Sequence, residues 1–407
     1  MTLANTNPTR PGVLIIVENL PVPFDRRVWQ EARALREAGY GVAIICPKGK
    51  TQTDAYQQID GIHIYRHSLP TEASGAASGF LLEYASALFW QLRLSVRIFR
   101  RHGFEVIHAC NPPDLIFLIA VIYKALFRKK FLFDHHDIVP EMFEAKFGRR
   151  GLFYRALRVC ERLTFFFADA SLATNATFKR IAIERGRMPA ERVWVVKSYP
   201  DLAAFRRLPP DPALRNGRAH LVGYVGIMNA QDRVDLLVLA MQYIVRHLQR
   251  EDIQCLLIGD GPEYDRLVRL AEEKGLAGYI TFAGYLTGTS LLVHLSSLDV
   301  GAIPDPPNSY NDKISLNKVF EYMALGIPFV QYDLSESRAQ AGDAALVAED
   351  PTPESLGAAI VRLIDDPERR AEMAASGIAR AQSEFRWETE MTRLLEAYAA
   401  VLPAARP

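Results

Sequence analysis

The sequence is poor in cysteine and has no long apolar segment. Its four cysteines are far apart and lack the spacing of metal ligands: Cys46, Cys110, Cys160 and Cys255. Three of them fall in apolar, strand-like segments, which predicts reduced core residues of a cytoplasmic protein. The longest apolar run covers residues 115–123, and nine residues are too few to span a bilayer. The opening MTLANTNPTRPG also lacks the apolar core of a signal peptide.

The net charge is only +1, but the charges are distributed unevenly. Residues 85–187 contain 18 lysines and arginines against 9 acidic residues, a net of +9, which leaves −8 for the remainder. A basic N-terminal half indicates an anionic partner, either a membrane surface or a phosphorylated acceptor. Within it, residues 80–101 predict a long helix with Arg93, Arg97 and Arg101 on one face beside aromatic residues. This is a candidate membrane-surface helix, and the alternative is a core helix with solvated arginines.

A chain of 407 residues is too long for one core and predicts two domains of about 200 residues each. Each domain opens with an apolar strand, and strands then alternate with helical patterns, which predicts an α/β protein with parallel sheets. A Pro-rich linker places the domains at 1–203 and 204–384, with a final helical segment at 385–407. The loop after the first strand is Pro-rich where a dinucleotide-binding loop would be Gly-rich, which argues against NAD.

A strand–loop–helix–strand segment of the second domain carries the clearest candidate site. Residues 311–326 read NDKISLNKVFEYMALG, and their apolar spacing predicts a helix capped by Ser315 and ended by Gly326. The helix N-terminus faces the carboxyl ends of the strands and favours anions, and Lys318 adds a positive charge in its first turn. Glu321 lies one turn further and is placed to accept hydrogen bonds from a sugar diol. A phosphate site beside a carboxylate indicates a nucleotide sugar; the alternative is an ordinary helix whose Glu meets only solvent.

Polar residues also follow the strands of the first domain. Asp25, Arg26 and Arg27 come after the first strand and are candidates for contact with an acceptor or a phosphate; alternatively, one of the arginines is a solvated helix start. His135 and His136 end a later strand. Adjacent residues of an extended chain point to opposite sides, so this pair makes a poor chelate, and we predict no metal site.

Three segments resemble family 4 (group 1) glycosyltransferases of the GT-B fold, in particular bacterial members that build surface polysaccharides. They read NKVFEYMALGIP, PFDRRVWQEARALREAGYGVAIICP and DHHDIVPEMFE. The resemblance implies two Rossmann-like, doubly wound domains facing a central cleft, with the last helix crossing back to the first domain. It also implies that Glu321 binds the donor ribose and that His136 approaches the donor hexose.

The same resemblance extends the predicted donor site. The helix start at Ser315 and the charge of Lys318 would stabilise the departing diphosphate, and Asn317 is a further candidate for donor binding. The turn formed by Gly259, Asp260 and Gly261 would lie near the base, because glycine permits close backbone approach. For Asp260, a plain tight turn is the alternative.

The chain departs from the family pattern at two places. The first Glu of the Glu-x7-Glu signature falls on Lys313, and a lysine cannot accept hydrogen bonds. Either Asp312 supplies the acceptor after a one-residue shift, which we favour for the sugar contact, or Lys313 neutralises a diphosphate. The second departure is Asn229, which opens a segment where many members carry an Arg and a Lys.

The resemblance implies transfer of a sugar from a UDP- or GDP-linked donor to a polyprenyl-diphosphate-linked glycan, with retention of configuration. No Asp-x-Asp motif is present, and we expect no metal and no other cofactor. We expect a cytoplasmic enzyme, peripheral on the anionic inner face of the plasma membrane, without a nucleic-acid partner. Two alternatives are a GT-B sugar-nucleotide epimerase, which needs no lipid acceptor, and a non-catalytic scaffold with a degenerate donor site.

Overall fold

A computed structural model describes residues 10–49, 52–68 and 77–402, and only the backbone of residues 77–84. The chain forms two compact units. The first comprises Met1–Phe143, Arg149–Ser198 and Glu388–Pro407, and the second comprises Glu144–Gly148 and Tyr199–Trp387. Each unit is a largely parallel sheet with helices between its strands, so the predicted α/β class is confirmed.

The first unit contains an eight-stranded sheet. Its strands are β1 (Arg10–Val17), β2 (Tyr40–Pro47), β3 (Tyr56–Ile59), β4 (Ile62–His67), β5 (Val106–Cys110), β6 (Lys130–His135), β7 (Ala170–Ala173) and β8 (Val193–Val195). They lie in the order β3-β4-β2-β1-β5-β6-β7-β8, and only β3 is antiparallel to its neighbour. The central strands are continuous apolar runs because both faces of the sheet are covered.

Six helices connect these strands. They are α1 (Arg26–Glu37), α2 (Ala77–Arg101), α3 (Phe117–Phe127), α4 (Val139–Phe147), α5 (Leu152–Phe167) and α6 (Ala176–Glu184). The long helix expected over 80–101 is therefore present as α2. Helix α1 ends just before Gly39, as predicted, because Gly39 adopts a left-handed conformation with φ of 92°.

The second unit contains a six-stranded parallel sheet. Its strands are β9 (His220–Val225), β10 (Ile253–Ile258), β11 (Ile280–Gly284), β12 (Val300–Ile303), β13 (Phe329–Gln331) and β14 (Ala345–Val347), in the order β11-β10-β9-β12-β13-β14. Its helices are α7 (Val234–Arg246), α8 (Tyr264–Glu273), α9 (Gly288–Ser296), α10 (Asn317–Ala324), α11 (Ser335–Ala341), α12 (Pro353–Ile364) and α13 (Pro367–Glu384). Successive residues of β9, such as Leu221 and Val222, belong to separate apolar clusters, because their side chains enter opposite faces of the sheet.

The last helix, α14 (Trp387–Val401), packs within the first unit. Its Tyr398 ring lies 5.6 Å from the ring of Tyr40, and the Tyr398 hydroxyl lies 2.8 Å from Nδ1 of His108. Glu390 accepts a hydrogen bond of 2.8 Å from the backbone N–H of Lys197. Among the helices that the structure describes, none combines the length and the apolar character needed to cross a membrane.

Candidate active site

Helix α10 begins at the carboxyl edge of the second sheet and carries a buried cation. Lys318 lies in its first turn, with Nζ 2.8 Å from Oδ2 of Asp305 and 4.6 Å from the centre of the Tyr224 ring. Burial lowers the pKa of Lys318, but the carboxylates of Asp305 and Asp232 outweigh this effect and hold that pKa above its ordinary value. The ammonium therefore remains charged at the helix start, as the sequence predicts.

Ser315 does not cap this helix, so that prediction is wrong. Helix α10 begins at Asn317, and the capping position is held by Leu316, whose extended backbone makes no side-chain capping bond. Leu316 is buried against the core of the second unit, and burial of this apolar side chain decides where the helix starts. The Ser315 hydroxyl instead accepts a hydrogen bond of 2.8 Å from Nε2 of Gln340. Asn317, the first residue of the helix, is exposed.

Glu321 lies in the second turn of α10, one turn beyond Lys318. Only 6% of the residue is exposed, so the alternative of a carboxylate that meets only solvent is wrong. A buried carboxylate must be hydrogen-bonded or paired. The structure thus places a buried cation and a buried carboxylate on successive turns at one end of the sheet.

The loop before α10 turns tightly through Asp312 and Lys313. Oδ1 of Asp312 accepts a hydrogen bond of 2.7 Å from the backbone N–H of Ser335, at the start of α11. Asp312 therefore already has a role in the fold, which occupies one of its two carboxylate oxygens. Lys313 is half-buried, and its backbone N–H donates to the carbonyl of Tyr310 at 3.0 Å.

The glycines after β10 are required by a neighbouring loop. Gly259 has φ of 140°, and a Cβ at this position would lie 1.9 Å from the carbonyl oxygen of Gly226. A Cβ on Gly261 would come within 2.6 Å of the carbonyl oxygen of Met228. Asp260 accepts a hydrogen bond of 2.8 Å from the Gly261 N–H within its own turn. The close backbone approach predicted here is thus made by the loop after β9.

Two carboxylates that the sequence analysis missed or left unused lie on separate loops, Asp232 after β9 and Asp305 after β12. Asp232 accepts a hydrogen bond of 3.0 Å from the Asn229 N–H, and burial raises the pKa of Asp232 to about 6 although Lys318 opposes the shift. Asp305 lies two residues past the end of β12, at the edge of the sheet where ligand residues collect, but the sequence pattern did not single it out. Arg233, four residues after Asn229, donates two hydrogen bonds of 2.9 and 3.0 Å to the carboxylate of Asp235.

In the first unit, Arg27 is buried in an ion pair. Its Nη2 lies 2.7 Å from Oδ1 of Asp134, its Nε lies 3.0 Å from Oδ2, and its Nη1 donates to the carbonyl of Val196 at 2.6 Å. A solvated helix start is therefore wrong for Arg27, whereas Arg26 is exposed. Asp25 caps α1, because its carboxylate accepts a hydrogen bond of 3.1 Å from the Val28 N–H.

His136 and His135 point to opposite sides of the chain, as predicted. His136 lies at the carboxyl edge with 13% of its side chain exposed, and its Nε2 is 2.5 Å from Oδ2 of Asp134. His135 is fully buried beside the rings of Phe165 and Phe178, and burial lowers the pKa of His135 to about 3. Only His136 is thus available to a ligand.

Three buried groups of this unit have the right atom types for a metal. His108, Cys110 and Asp134 each place one donor atom within 4.8 Å of the others. However, both carboxylate oxygens of Asp134 are bonded to Arg27, a permanent cation, and burial raises the pKa of the Cys110 thiol well above its usual value. A thiol that stays protonated beside a guanidinium does not suit a metal ion.

The two parallel-sheet units have the GT-B fold found in glycosyltransferases. Sucrose-phosphate synthase from Thermosynechococcus elongatus superimposes with a TM-score of 0.77 at 19% identity, covering 96% of this chain and 98% of that one. Models of a glycosyl transferase 4-like domain and of glycosyl transferases group 1 match residues 25–198 and 219–366. The chain therefore belongs to the family 4 (group 1) glycosyltransferases.

Two curated relatives share part of the sequence. D-inositol 3-phosphate glycosyltransferase of Thermomonospora curvata is 27% identical over 253 residues, which cover 57% of each chain. O-antigen chain mannosyltransferase B of Escherichia coli is 26% identical over 233 residues, or 56% of this chain and 60% of that protein. The chain thus spans little more than half the length of these relatives.

Proposed function

We propose that the protein transfers a sugar from a nucleoside diphosphate donor to a hydroxyl group of a lipid-linked glycan. The observation that carries this proposal is the buried pair of turns in α10, with Lys318 in the first and Glu321 in the second. Free N–H groups and a cation at a helix start suit a diphosphate. A carboxylate one turn away suits the hydroxyls of a ribose.

The chemistry requires stabilisation of a departing diphosphate. As the bond between the anomeric carbon and the phosphate oxygen breaks, negative charge grows on the leaving group beside Lys318. In a retaining reaction, the acceptor hydroxyl attacks from the same face, forms the new bond to the anomeric carbon and passes its proton to the leaving phosphate oxygen. This route needs no protein nucleophile and no metal, and the ammonium of Lys318 supplies the positive charge.

The proposed membrane contact rests on an exposed face of the first unit. Helix α5 presents apolar and basic side chains together, with Leu152, Val159 and Phe166 exposed by 83%, 57% and 74%. Arg155 and Arg162 are exposed on the same helix. Interfacial helices typically insert apolar side chains into the lipid boundary, while neighbouring basic side chains contact the lipid phosphates.

Two further features support an anionic membrane surface. Helix α2 exposes Phe89 by 61% and Trp90 by 37%, with the guanidinium of Arg93 5.9 Å from the Trp90 ring. Next to Phe166, a cavity of about 350 Å³ is lined by three arginines: Arg162, Arg187 and Arg192. The proposed acceptor is a polyprenyl-diphosphate-linked glycan, which such a surface would meet in the plane of the membrane.

The test is acceptor-dependent release of nucleoside diphosphate. Purified protein is incubated with UDP- and GDP-sugars, with and without polyprenyl-diphosphate-linked glycans in vesicles, and the lipid product is examined by mass spectrometry. We expect one donor to yield a lipid product one sugar heavier. Conversion of the free nucleotide sugar to an epimer without acceptor would favour the epimerase. Absence of nucleotide-sugar binding by calorimetry would favour a scaffold.

A further inference from the structure

Asp134 lies at the centre of a buried polar network behind His136. Its Oδ2 atom is 2.5 Å from Nε2 of His136 and 3.4 Å from Nε2 of His108, while Arg27 binds both carboxylate oxygens. Asp134 and His108 have no exposed surface. The Tyr398 hydroxyl closes the far end, at 2.8 Å from Nδ1 of His108.

The charge states in this network follow from its partners. Burial raises the pKa of Asp134, but the charge of Arg27 and hydrogen bonds from His108 and His136 hold that pKa well below its ordinary value, so the carboxylate is ionised. Burial also lowers the pKa of His108, which is therefore a neutral ring. Burial also raises the pKa of the nearby Glu31 well above its usual value, although the guanidinium of Arg27 opposes the shift.

These charge states decide which nitrogen of His136 carries the proton. An ionised carboxylate can only accept, so a contact of 2.5 Å to Nε2 requires a hydrogen on Nε2. The Nε of Arg27 lies 3.1 Å from the same nitrogen, but it is a donor and cannot bond to a protonated Nε2. It donates instead to Oδ2 of Asp134 at 3.0 Å. When the ring is neutral, its lone pair is therefore on Nδ1.

The backbone adds a second restraint on the ring. Oδ1 of Asn111 accepts hydrogen bonds from the N–H groups of His136 at 2.7 Å and Asp137 at 3.1 Å. The ring of His136 is thus held from its backbone and from Nε2, while part of its side chain remains exposed at the carboxyl edge. Tautomer and orientation are set together, as in other sites where a carboxylate orients an imidazole.

We infer that Asp134 and Arg27 are positioning residues that hold His136 as the Nε2–H tautomer, so that its Nδ1 accepts a hydrogen bond from a sugar hydroxyl. This inference rests on the proposed function for the identity of the ligand. The tautomer itself does not depend on it. His136 is then an acceptor toward the substrate, and the protein presents no N–H of this ring to the sugar.

The direct test is nitrogen NMR of the protein labelled with [15N]histidine. Long-range proton–nitrogen correlations distinguish protonated from unprotonated ring nitrogens, and the signal absent from His136→Gln identifies His136. For the neutral ring in the wild-type protein, we expect a protonated Nε2 and an unprotonated Nδ1. A protonated Nδ1 in the neutral ring, or an averaged mixture of both tautomers, would overturn the inference. This test needs no substitution of Asp134 or Arg27.

Kinetics test the positioning role separately. Asp134→Asn removes the charge but keeps the shape, and we expect kcat to fall at least about tenfold, with unchanged affinity for bare UDP or GDP. The matched control is Asp169→Asn, at the other end of the same sheet, where the carboxylate binds Lys124 and the Phe131 N–H. The control should leave kcat and the His136 signal unchanged.

The outcomes separate the two proposals. If NMR shows the expected tautomer but the wild-type protein transfers no sugar, the positioning of His136 is supported and the proposed function is rejected. Sugar transfer with an unchanged kcat in Asp134→Asn overturns the positioning role. Should Asp134→Asn fail to fold, Arg27→Lys, which keeps the charge but loses the fork of hydrogen bonds, provides the same comparison.

Discussion

The ammonium of Lys318 lies 2.8 Å from a carboxylate oxygen of Asp305, and both side chains are buried at the carboxyl edge of the second sheet. The other Asp305 oxygen has no hydrogen-bond partner in the part of the chain that the structure describes. A diphosphate at the start of α10 would therefore enter an existing charge pair. Lys318 would then have two roles, since it would bind the diphosphate and already stabilises the buried carboxylate of Asp305.

This pair makes Lys318 a residue for stability as well as for binding. Lys318→Met leaves the buried carboxylate of Asp305 without its cation, and we expect the free energy of unfolding to fall by about 3 kcal/mol. The double variant Lys318→Met, Asp305→Leu removes both charges and should recover most of that loss. Urea denaturation of the three proteins measures the difference. A single variant as stable as the wild type would contradict the importance of the pair.

Glu321 is predicted to bind hydroxyl groups of the donor. Glu321→Ala should weaken binding of the nucleotide sugar by about 1–3 kcal/mol, because buried polar partners are left unmet. Calorimetry with UDP and GDP donors measures this loss. Glu354→Ala, in the first turn of α12, is a matched control that should bind as the wild type does. Equal affinity in a folded Glu321→Ala variant would remove Glu321 from the site.

His136 is predicted to contact a sugar rather than the nucleotide. His136→Ala should lower turnover at least about tenfold and nearly keep the affinity for the bare nucleoside diphosphate. Initial rates and calorimetry on the same preparation give both quantities. Loss of affinity for the bare nucleotide would show that the assignment is wrong.

In the loop before α10, either Asp312 or Lys313 is predicted to contact the donor. If Asp312 contacts the sugar, Asp312→Ala should reduce transfer strongly and Lys313→Ala only mildly. If Lys313 neutralises the diphosphate, the order reverses, and Lys313→Ala raises the Kd of the bare nucleotide. Asp312 also holds the start of α11, so its loss should cost about 1 kcal/mol of stability in either case. Comparing both variants with donor and with bare nucleotide decides the matter.

Membrane binding is predicted to be electrostatic and centred on α5. Arg155→Glu with Arg162→Glu should release the protein from anionic vesicles, since each basic residue near the surface contributes about 1 kcal/mol. Sedimentation should also decrease as salt rises. The same change at the exposed Arg269 and Arg362 of the second unit is the control and should have little effect. Equal binding to neutral and anionic vesicles would overturn this prediction.

Local patterns in the sequence predicted the strands and most helices well. The apolar run of β1, the helix ended by Gly39 and the separation of α13 from α14 near Phe385 follow from periodicity and breakers. The predicted start of α10 was wrong by one residue, because the capping position falls on the buried Leu316 and not on Ser315. Tertiary packing decides which of two neighbouring residues caps a helix, and a short stretch of sequence carries no information about that packing.

The sequence predicted where the candidate site residues lie in the fold, but not which residues bind to them. Parallel strands bring their carboxyl ends to one edge, so His136 and Lys318 could be found from the residues that follow strands. The partners of Arg27 could not, because Asp134 and Val196 are 107 and 169 residues away along the chain. The same distance explains why the role of Tyr398 behind His108 was invisible: the two are separated by 290 residues.

The contact between Tyr398 and His108 also has a consequence for synthesis of the chain. Strands β1 to β8 leave the ribosome well before α14 does, and translation of the intervening second unit takes about 10–40 s at usual rates. Throughout that time the first sheet lacks the helix that covers His108 and Tyr40. The first unit thus stays incomplete until the second unit and then α14 have been synthesised.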